Sequence, residues 1–287
     1  MKSYFISISC TLYLVFNISS LAHAQIELWD WGINIDGTSY CLEGPCDFDF
    51  FSTANLTSLD ELPPSINFTN FNLSDQVNTF DGLGTLTITI TGEGPHSVSV
   101  YFNYDLDYDL NDVLNETGIA SGSPKSGQFW EIDEIGWGLT GSDGTKGTIY
   151  YGDIFDNVKD SGKGTPPTSL LDNQVFYTLF TDQFLAPPIE DTALAMSWDF
   201  NLPAGKTAVI SFIADTTGPA GFYIVQQDPD SGTNVYLSSS TNQDCAGTWD
   251  GDAVEDLCGI CDNNPANDCT GKQFPWVMFS HLFLNKK

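Results

Sequence analysis

Apolar and hydroxyl-bearing residues alternate along most of the chain between residues 25 and 240. The segment 83–91 reads Leu-Gly-Thr-Leu-Thr-Ile-Thr-Ile-Thr, and a period of two is typical of a strand with one buried face. Comparable patterns predict further strands at 97–104, 148–154, 193–202, 207–214, 221–227 and 234–238. Turn residues at 203–205 and 228–232 separate the later strands, so we expect the last four to form a meander.

Helical periodicity is weak. Only residues 110–116 could make two helical turns, and Gly118 would then follow as a C-terminal cap. Residues 55–72 have little regular pattern and are expected to form a long loop. Because strands without intervening helices pack as antiparallel sheets, the sequence predicts an all-β protein, an antiparallel β-sandwich or jelly roll with a small disulfide-rich C-terminal module.

Composition divides the chain into four segments. Residues 1–24 are typical of a signal peptide, with Lys2, an apolar run and Ala22-His-Ala24 as a small-x-small cleavage site. Residues 25–240 form the predicted sandwich, 241–271 the Cys-rich module, and 272–287 a short apolar tail. Neither apolar segment reaches the ~20 residues of a membrane span, so we expect a secreted or cell-surface protein without one.

The charge balance excludes several classes of partner. The chain has 38 Asp and Glu against 9 Lys, no Arg, and a formal net charge of −29. Such a field repels nucleic acid and anionic lipid, and without Arg there is no bidentate fork for phosphate. The 41% of hydrophobic residues argues against disorder. An acidic folded surface of this kind suits a salty medium or bound divalent cations.

The cysteines point to disulfides. Cys41 and Cys46 flank a tight turn and are expected to pair. Four more lie in the C-terminal module, where they allow three pairings, and four thiolates could alternatively bind zinc. In a secreted chain the disulfides are favoured. These four residues are Cys245, Cys258, Cys261 and Cys269.

A ladder of acids is the predicted metal site. Asp105, Asp107 and Asp109 alternate along residues 103–112, and Glu116 stands at the twelfth position counted from Asp105. An EF-hand loop has similar spacing but needs Gly at its sixth position, where this chain has Leu110. We therefore expect a looser calcium loop. The alternative is a strand whose edge is simply acidic, which would deter edge pairing.

Evidence for catalysis is thin. Glu131, Asp133 and Glu134 lie beside Trp130 and Trp137, which suggests a glycosidase pair next to sugar-stacking rings. Aromatic residues in a sandwich more often belong to the core. The sequence has no zinc-protease, nucleophile-elbow or phosphate-loop motif, so no catalytic residue is predicted.

Two resemblances support an extracellular role. Asp244–Cys269 resembles a Cys-rich unit with the pattern Asp-Cys-x-Gly-x-Trp followed by Cys-Gly-x-Cys, which recurs in large secreted bacterial proteins alongside thrombospondin type 3-like repeats. It departs from that unit at Asp250, where Gly is usual, and the Asp-x-Asp-x-Asp-Gly calcium signature is missing. The body resembles a secreted β-sandwich domain of unknown function found in surface proteins, including ones with a PEP-CTERM tail. The matching stretches are 29–36, 83–88, 130–134, 151–157, 198–202 and 221–232.

The sequence therefore predicts a non-enzymatic secreted or cell-surface protein with an adhesion or matrix role. Extracellular glycans or other surface proteins are its expected partners, and calcium is expected to stabilise it. A secreted carbohydrate-active enzyme is the first alternative. A structural coat component that self-associates through strand edges is the second.

Overall fold

The structure, a computed structural model, describes residues 26–42, 55–56, 59–70, 81–106, 116–134, 153–175, 192–249, 251–256, 258–264 and 266. Strands dominate the described part, together with one short helix, α1 (Ile154–Asp160), and a 3-10 turn at Leu59–Glu61. In chain order the strands are β1 (Glu27–Ile35), β2 (Thr38–Leu42), β3 (Asn55–Leu56), β4 (Ile66–Thr69), β5 (Gly84–Thr91), β6 (Gly94–Asp105), β7 (Thr117–Ser121), β8 (Gln128–Glu134), β9 (Thr192–Leu202), β10 (Thr207–Asp215), β11 (Tyr223–Gln227), β12 (Asn234–Thr241), β13 (Val254–Glu255) and β14 (Cys261–Asp262).

Two six-stranded sheets form the sandwich. Sheet 1 has the order β3-β2-β1-β6-β9-β8 and sheet 2 the order β4-β5-β10-β12-β11-β7. All their strand pairs are antiparallel except the short contact between β2 and β3. The predicted all-β sandwich is therefore confirmed.

The core lies between the sheets and follows the alternation in the sequence. Leu86, Ile88 and Ile90 of β5 point inward, while the threonines between them lie on the outer face. The largest fully buried side chains include Trp198, Phe102 and Phe212. Burying an apolar side chain of this size contributes roughly 1.5–3 kcal/mol to folding, which is why the alternation decides the face of each strand.

Three local predictions need correction. The last four strands are not a meander, because β9 belongs to sheet 1 and β12 lies between β10 and β11 in sheet 2. The strand expected at 148–154 is wrong at its end, since Ile154 begins α1, whereas 148–152 lie outside the described residues. Residues 55–72 include β3 and β4 as well as loop. In each case contacts between distant segments decide the structure, and local patterning does not record them.

The C-terminal module is held by a disulfide and by an aromatic anchor. Cys245 is bonded to Cys261, which excludes zinc bound by all four thiolates and selects one of the three pairings within the module. Cys258 is also disulfide-bonded, while Cys46 and Cys269 lie outside the described residues. The ring of Trp249 is 2% exposed and packs on Phe200 with ring centroids 4.6 Å apart. The first part of the module thus contacts the sandwich core.

A serine hydroxyl links the two sheets. Ser239 of β12 accepts hydrogen bonds from Trp198 Nε1 at 2.8 Å and from Gln128 Nε2 at 3.0 Å, and both donors belong to sheet 1.

We expect Ser239→Ala to lower the free energy of unfolding by about 1–3 kcal/mol, because it leaves buried donors without this acceptor. Urea unfolding measures the change. Ser240→Ala on the exposed neighbour is the matched control and should change stability by less than about 0.5 kcal/mol. Equal effects of the two substitutions would contradict the proposed link.

Candidate functional site

The outer face of sheet 1 carries buried polar residues instead of a solvated surface. Neighbouring strands align Asp30 with Asn103, Asn103 with Ala193, and Ala193 with Asp133, so these side chains form one row across the face. The next row contains Tyr101, Ala195 and Glu131. Because side chains alternate along a strand, Glu131 and Asp133 share this face while Ile132 between them points into the core.

A short helix covers this face. Ile154, Phe155 and Val158 of α1 are buried against Tyr101, Ala193 and Ala195, and the rings of Phe155 and Tyr101 meet edge to face at 5.7 Å. The alanines leave room for the helix to approach the sheet. Both alanines are fully buried in this cluster, so a larger side chain at either position would disturb the packing of α1 on β9.

The segment 169–175 covers the edge of the same sheet. Ile132 of the edge strand β8 donates its backbone N–H to Gln174 O at 3.1 Å, and Trp130 O accepts from Asn173 N at 2.9 Å. Asp199 accepts the backbone N–H of Ser169 through both carboxylate oxygens at 2.9 Å. The bonds to Ile132 and Trp130 satisfy backbone groups that an open strand edge would expose, and the bond from Ser169 attaches the start of the segment to β9.

Three carboxylates converge where β8 meets the start of α1. Oxygen atoms of Glu131, Asp133 and Asp153 lie within 4.8 Å of one another. Glu131 and Asp133 are each 2% exposed, whereas Asp153 is exposed to solvent. Asp153 is the N-cap residue of α1 but makes no side-chain capping bond, although an N-cap aspartate usually accepts one. Its carboxylate belongs to the acidic group instead.

Glu131 lies between the sheet, the helix and the covering segment. Its two oxygens accept hydrogen bonds from Asn157 Nδ2 of α1 at 3.1 and 3.0 Å, and Oε2 also faces the backbone N–H of Asp172 at 3.3 Å. Asp133 Oδ2 accepts the backbone N–H of Asp153 at 2.8 Å. The carboxylates of β8 therefore fix the position of the helix.

Burial raises the pKa of Glu131 from 4.5 to about 8. The hydrogen bond from Asn157 opposes this rise, and the negative charges of Asp172, Asp153 and Asp133 add to it. The lysines described on and after α1 form ion pairs with other acids, Lys159 with Asp156 and Lys163 with Asp160. The group thus concentrates negative charge in a place where water cannot screen it fully.

This arrangement could hold a metal ion. Two oxygens that bind one calcium ion at about 2.4 Å are at most about 4.8 Å apart, and the three carboxylates offer oxygens that are all within this distance of one another. An all-oxygen donor set suits a hard cation, and ligating carboxylates are usually themselves hydrogen-bonded, as Glu131 and Asp133 are here. A cation would also remove the mutual repulsion of the acids.

A second buried acid lies in the same row. Asp30 is 5% exposed and Asn103 is 2% exposed, and the Oδ1 atom of each has no hydrogen-bond partner among the described residues. Burial raises the pKa of Asp30 from 3.8 to about 8, opposed by a hydrogen bond from the backbone of Trp31. This carboxyl group is therefore mainly protonated at neutral pH.

The predicted calcium ladder lies only partly within the described residues. Asp105 is the last residue of β6, while Asp107 and Asp109 are outside the described part. Glu116 is buried at 6% exposure; its Oε1 accepts the backbone N–H of Leu106 at 3.0 Å, and Oε2 accepts from Gln226 Nε2. Glu116 thus links the two ends of the 107–115 segment to β11, and calcium binding by the ladder stays a prediction.

Asp105, the first residue of the predicted ladder, lies at the same end of sheet 1 as the acidic group. Both β6 and β8 pair antiparallel with β9 and so run parallel to each other. Asn103 and Asp133 align with the same residue, Ala193, which places Asp105 at the end of the sheet that holds Asp133. Negative charge is concentrated at this end, and Glu27 is aligned with Asp105 there as well.

Sequence reasoning found only part of the site. The sequence suggests Glu131 and Asp133 as part of a glycosidase pair, together with Glu134, whose side chain lies outside the described part. Asp153 and Asn157 were not recognised as site residues, although both lie in the stretch 151–157 that carried the resemblance of the body. The only available signal was that stretches 130–134 and 151–157 are both rich in acids.

Comparison of the chain with protein-family models, with curated proteins and with solved structures finds no match. The two resemblances in the sequence therefore stay expectations. Within the part of the chain that the structure describes, no helix is long and apolar enough to cross a membrane.

The raised pKa of Glu131 gives a stability prediction in calcium-free buffer. A raised folded-state pKa means that the folded protein binds this proton more tightly than the unfolded chain does. The contribution of Glu131 to stability is thus fully present below pH 4.5 and is lost as pH rises through about 8. Because Glu131→Gln stays uncharged, its free energy of unfolding should fall less than that of the wild type between pH 5 and pH 8.

Urea unfolding at the two pH values measures the difference, which should reach a few kcal/mol at most. Glu93→Gln is the matched control, because it removes the same charge from an exposed turn at residues 92–93. Parallel pH profiles for the wild type and Glu131→Gln would contradict the assignment.

Proposed function

We propose that this protein is a secreted or cell-surface, non-enzymatic module with an adhesion or matrix role, stabilised by calcium bound between β8 and α1. The single observation that carries the proposal is the convergence of Glu131, Asp133 and Asp153 within 4.8 Å beneath and beside the helix. The calcium would join the sheet to its outer layer, because two of the ligands belong to the strand and one to the start of the helix.

Calcium suits this group better than smaller cations do. It accepts irregular sets of carboxylates and waters, whereas magnesium demands near-ideal octahedral geometry and loses its waters reluctantly. The exposed Asp153 leaves one side of the group open to solvent, so water molecules can complete the coordination. Extracellular modules bind calcium with dissociation constants of about 0.1–1 mM, which suits a ligand group with only three carboxylates.

The extracellular setting rests on the chemistry of the chain. A disulfide joins Cys245 and Cys261, and such bonds persist in oxidising compartments. A net charge of −29 disfavours binding to nucleic acid and to anionic membranes. Both features agree with the signal-like residues 1–24 and with the resemblance to surface proteins.

The carbohydrate-active enzyme is the second candidate, and one observation favours it. A carboxyl group with a pKa of about 8 is protonated at neutral pH, as a general acid must be, and Asp133 lies close enough to act as its partner. Against it, Glu131 and Asp133 are both 2% exposed, and α1 and segment 169–175 stand where a sugar would have to bind. Burial favours the non-enzymatic proposal.

Calcium dependence is the test of the proposal. In 1–10 mM calcium the mature protein should melt at a higher temperature than in EDTA, because a ligand that binds only the folded state stabilises it. Calcium at 10 mM is about 10–100 times the expected dissociation constant and contributes about 1.4–2.7 kcal/mol, which corresponds to roughly 3–10 °C for a domain of this size. Asp133→Asn should abolish this difference.

The double substitution Asp107→Asn with Asp109→Asn is the matched control, since it removes two carboxylates of the predicted ladder and leaves the acidic group intact. It should leave the calcium-dependent rise in place. If only the ladder variant loses the rise, calcium binds at the ladder. An unchanged melting temperature in the wild type would exclude calcium stabilisation altogether.

The enzyme candidate has a separate test. We expect no release of reducing sugar from a panel of polysaccharides at pH 5–8, because the buried carboxylates cannot reach a glycosidic bond. Release by the wild type that is lost in Glu131→Gln would establish the enzyme instead.

A further inference from the structure

A small pocket opens on the outer face of sheet 2, on the side of the sandwich away from α1. Its volume is about 260 Å³, and its walls come from β10, β12 and the connection after β10. Cross-strand pairing aligns Asp215 with Tyr236 and Ile213 with Ser238, so these four side chains form two adjacent rows on this face. Gly218 and Pro219 close one side.

An aromatic ring forms one wall of the pocket. Tyr236 is half-buried and meets the ring of Tyr223 edge to face, with centroids 5.4 Å apart, so the neighbour holds it in place. Neither tyrosine hydroxyl makes a hydrogen bond to another described residue. A Cβ atom at Gly218 would lie 3.2 Å from Cε1 of Tyr236, closer than ordinary contact. The missing side chain at this position therefore keeps the ring accessible.

The lining is mainly apolar, but three polar residues, Asp215, Thr217 and Ser238, contribute to it. The carboxylate of Asp215 accepts the backbone N–H of Thr217 through Oδ1 at 2.9 Å, and its Oδ2 has no hydrogen-bond partner among the described residues. The side chains of Thr217 and Ser238 add hydroxyl groups to the lining. The pocket therefore combines an aromatic wall with a carboxylate and hydroxyls, and no described lysine lines it.

We propose that this pocket binds one neutral pyranose unit of a glycan. The apolar face of a sugar ring packs on an aromatic side chain, and its hydroxyl groups donate to a carboxylate that has a free oxygen. The volume is below the ~300–1,000 Å³ of pockets for drug-sized ligands, which suits a single sugar residue. Anionic sugars are disfavoured, because Asp215 and the net charge of −29 repel them.

The inference rests on the proposed adhesion role and gives it a ligand class. It is independent of calcium, since the pocket belongs to sheet 2 and the acidic group to the outer face of sheet 1.

Titration with simple glycosides tests the proposal. The probes are the methyl pyranosides of glucose, galactose, mannose and N-acetylglucosamine, followed by calorimetry or by ligand-observed NMR on the mature protein. At least one should bind with a dissociation constant on the order of 1 mM, as expected for a ligand of about 13–16 non-hydrogen atoms. The methyl glucuronide should bind at least tenfold more weakly than the methyl glucoside.

Three substitutions should weaken binding by different routes. Gly218→Val narrows the pocket against the ring, Tyr236→Ala removes the ring, and each should weaken binding at least tenfold. Asp215→Asn keeps the shape but loses the charge, and should weaken binding about three- to tenfold. Variants whose melting temperatures lie within about 3 °C of the wild type are taken as folded. If Tyr236→Ala does not fold, the binding constant of Asp215→Asn still tests the pocket. The controls are Ser240→Ala on the same strand and Glu93→Gln, which should bind as the wild type does.

Absence of binding by all four neutral glycosides at ~50 mM would overturn the proposal. So would binding that survives both Gly218→Val and Asp215→Asn, or a glucuronide that binds as tightly as the glucoside. These results are distinguishable from failure of the proposed function. Loss of glycoside binding leaves the calcium-dependent melting temperature in place, whereas a calcium-independent protein that binds glycosides contradicts only the calcium role.

Discussion

The burial of one carboxylate, that of Glu131, holds the outer layer of this sandwich to its sheet. Its oxygens accept donors from α1 through Asn157 and from the covering segment through Asp172. The helix has only seven residues, too few to be stable alone in water. It persists because its apolar side chains pack on β9 and because β8 offers acceptors at its start. This support carries an electrostatic cost, visible in the raised pKa of Glu131.

A cation would convert that cost into a stabilising interaction. Moving a carboxylate from water into the protein interior is unfavourable unless an opposite charge or several hydrogen-bond donors compensate for the lost hydration. The hydrogen bond from Asn157 stabilises the ionised form of Glu131 in part, whereas the negative charges of the nearby acids destabilise it. Protonation of the carboxyl group removes the cost, and burial raises the pKa of Asp30 on the same face in the same way. Calcium would be the other, and only calcium would also engage Asp153 and so tie the start of the helix to the strand.

The two outer faces of the sandwich differ in role. The face of sheet 1 is covered by α1 and segment 169–175 and contributes to stability. The pocket on the face of sheet 2 is open, with an aromatic wall kept accessible by Gly218. Because the core lies between the sheets, a ligand can bind to one face without disturbing the acidic group on the other. This separation is why the proposed calcium and glycan sites can be tested independently.

Local patterning predicts the strands well and their arrangement poorly. The Thr and Ile alternation of β5 identifies its buried face, because the period of two follows directly from strand geometry. The position of β12 between β10 and β11 depends on pairing between distant segments, which no local pattern records. The acidic group unites residues 131, 133 and 153 across a stretch of chain outside the described residues, so no spacing rule could find it. The sequence allows three disulfide pairings in the C-terminal module, and the choice of Cys245 with Cys261 follows from the three-dimensional structure.

A crystal structure of the mature protein grown in millimolar calcium would show whether the acidic group binds the ion. We expect one ion bound by oxygens of Glu131, Asp133 and Asp153 at 2.3–2.6 Å, roughly the range of calcium–oxygen distances. Waters on the side of Asp153 should complete its coordination. An acidic group that holds only water at saturating calcium, with Glu131 still bonded to Asn157, would contradict calcium binding at this site.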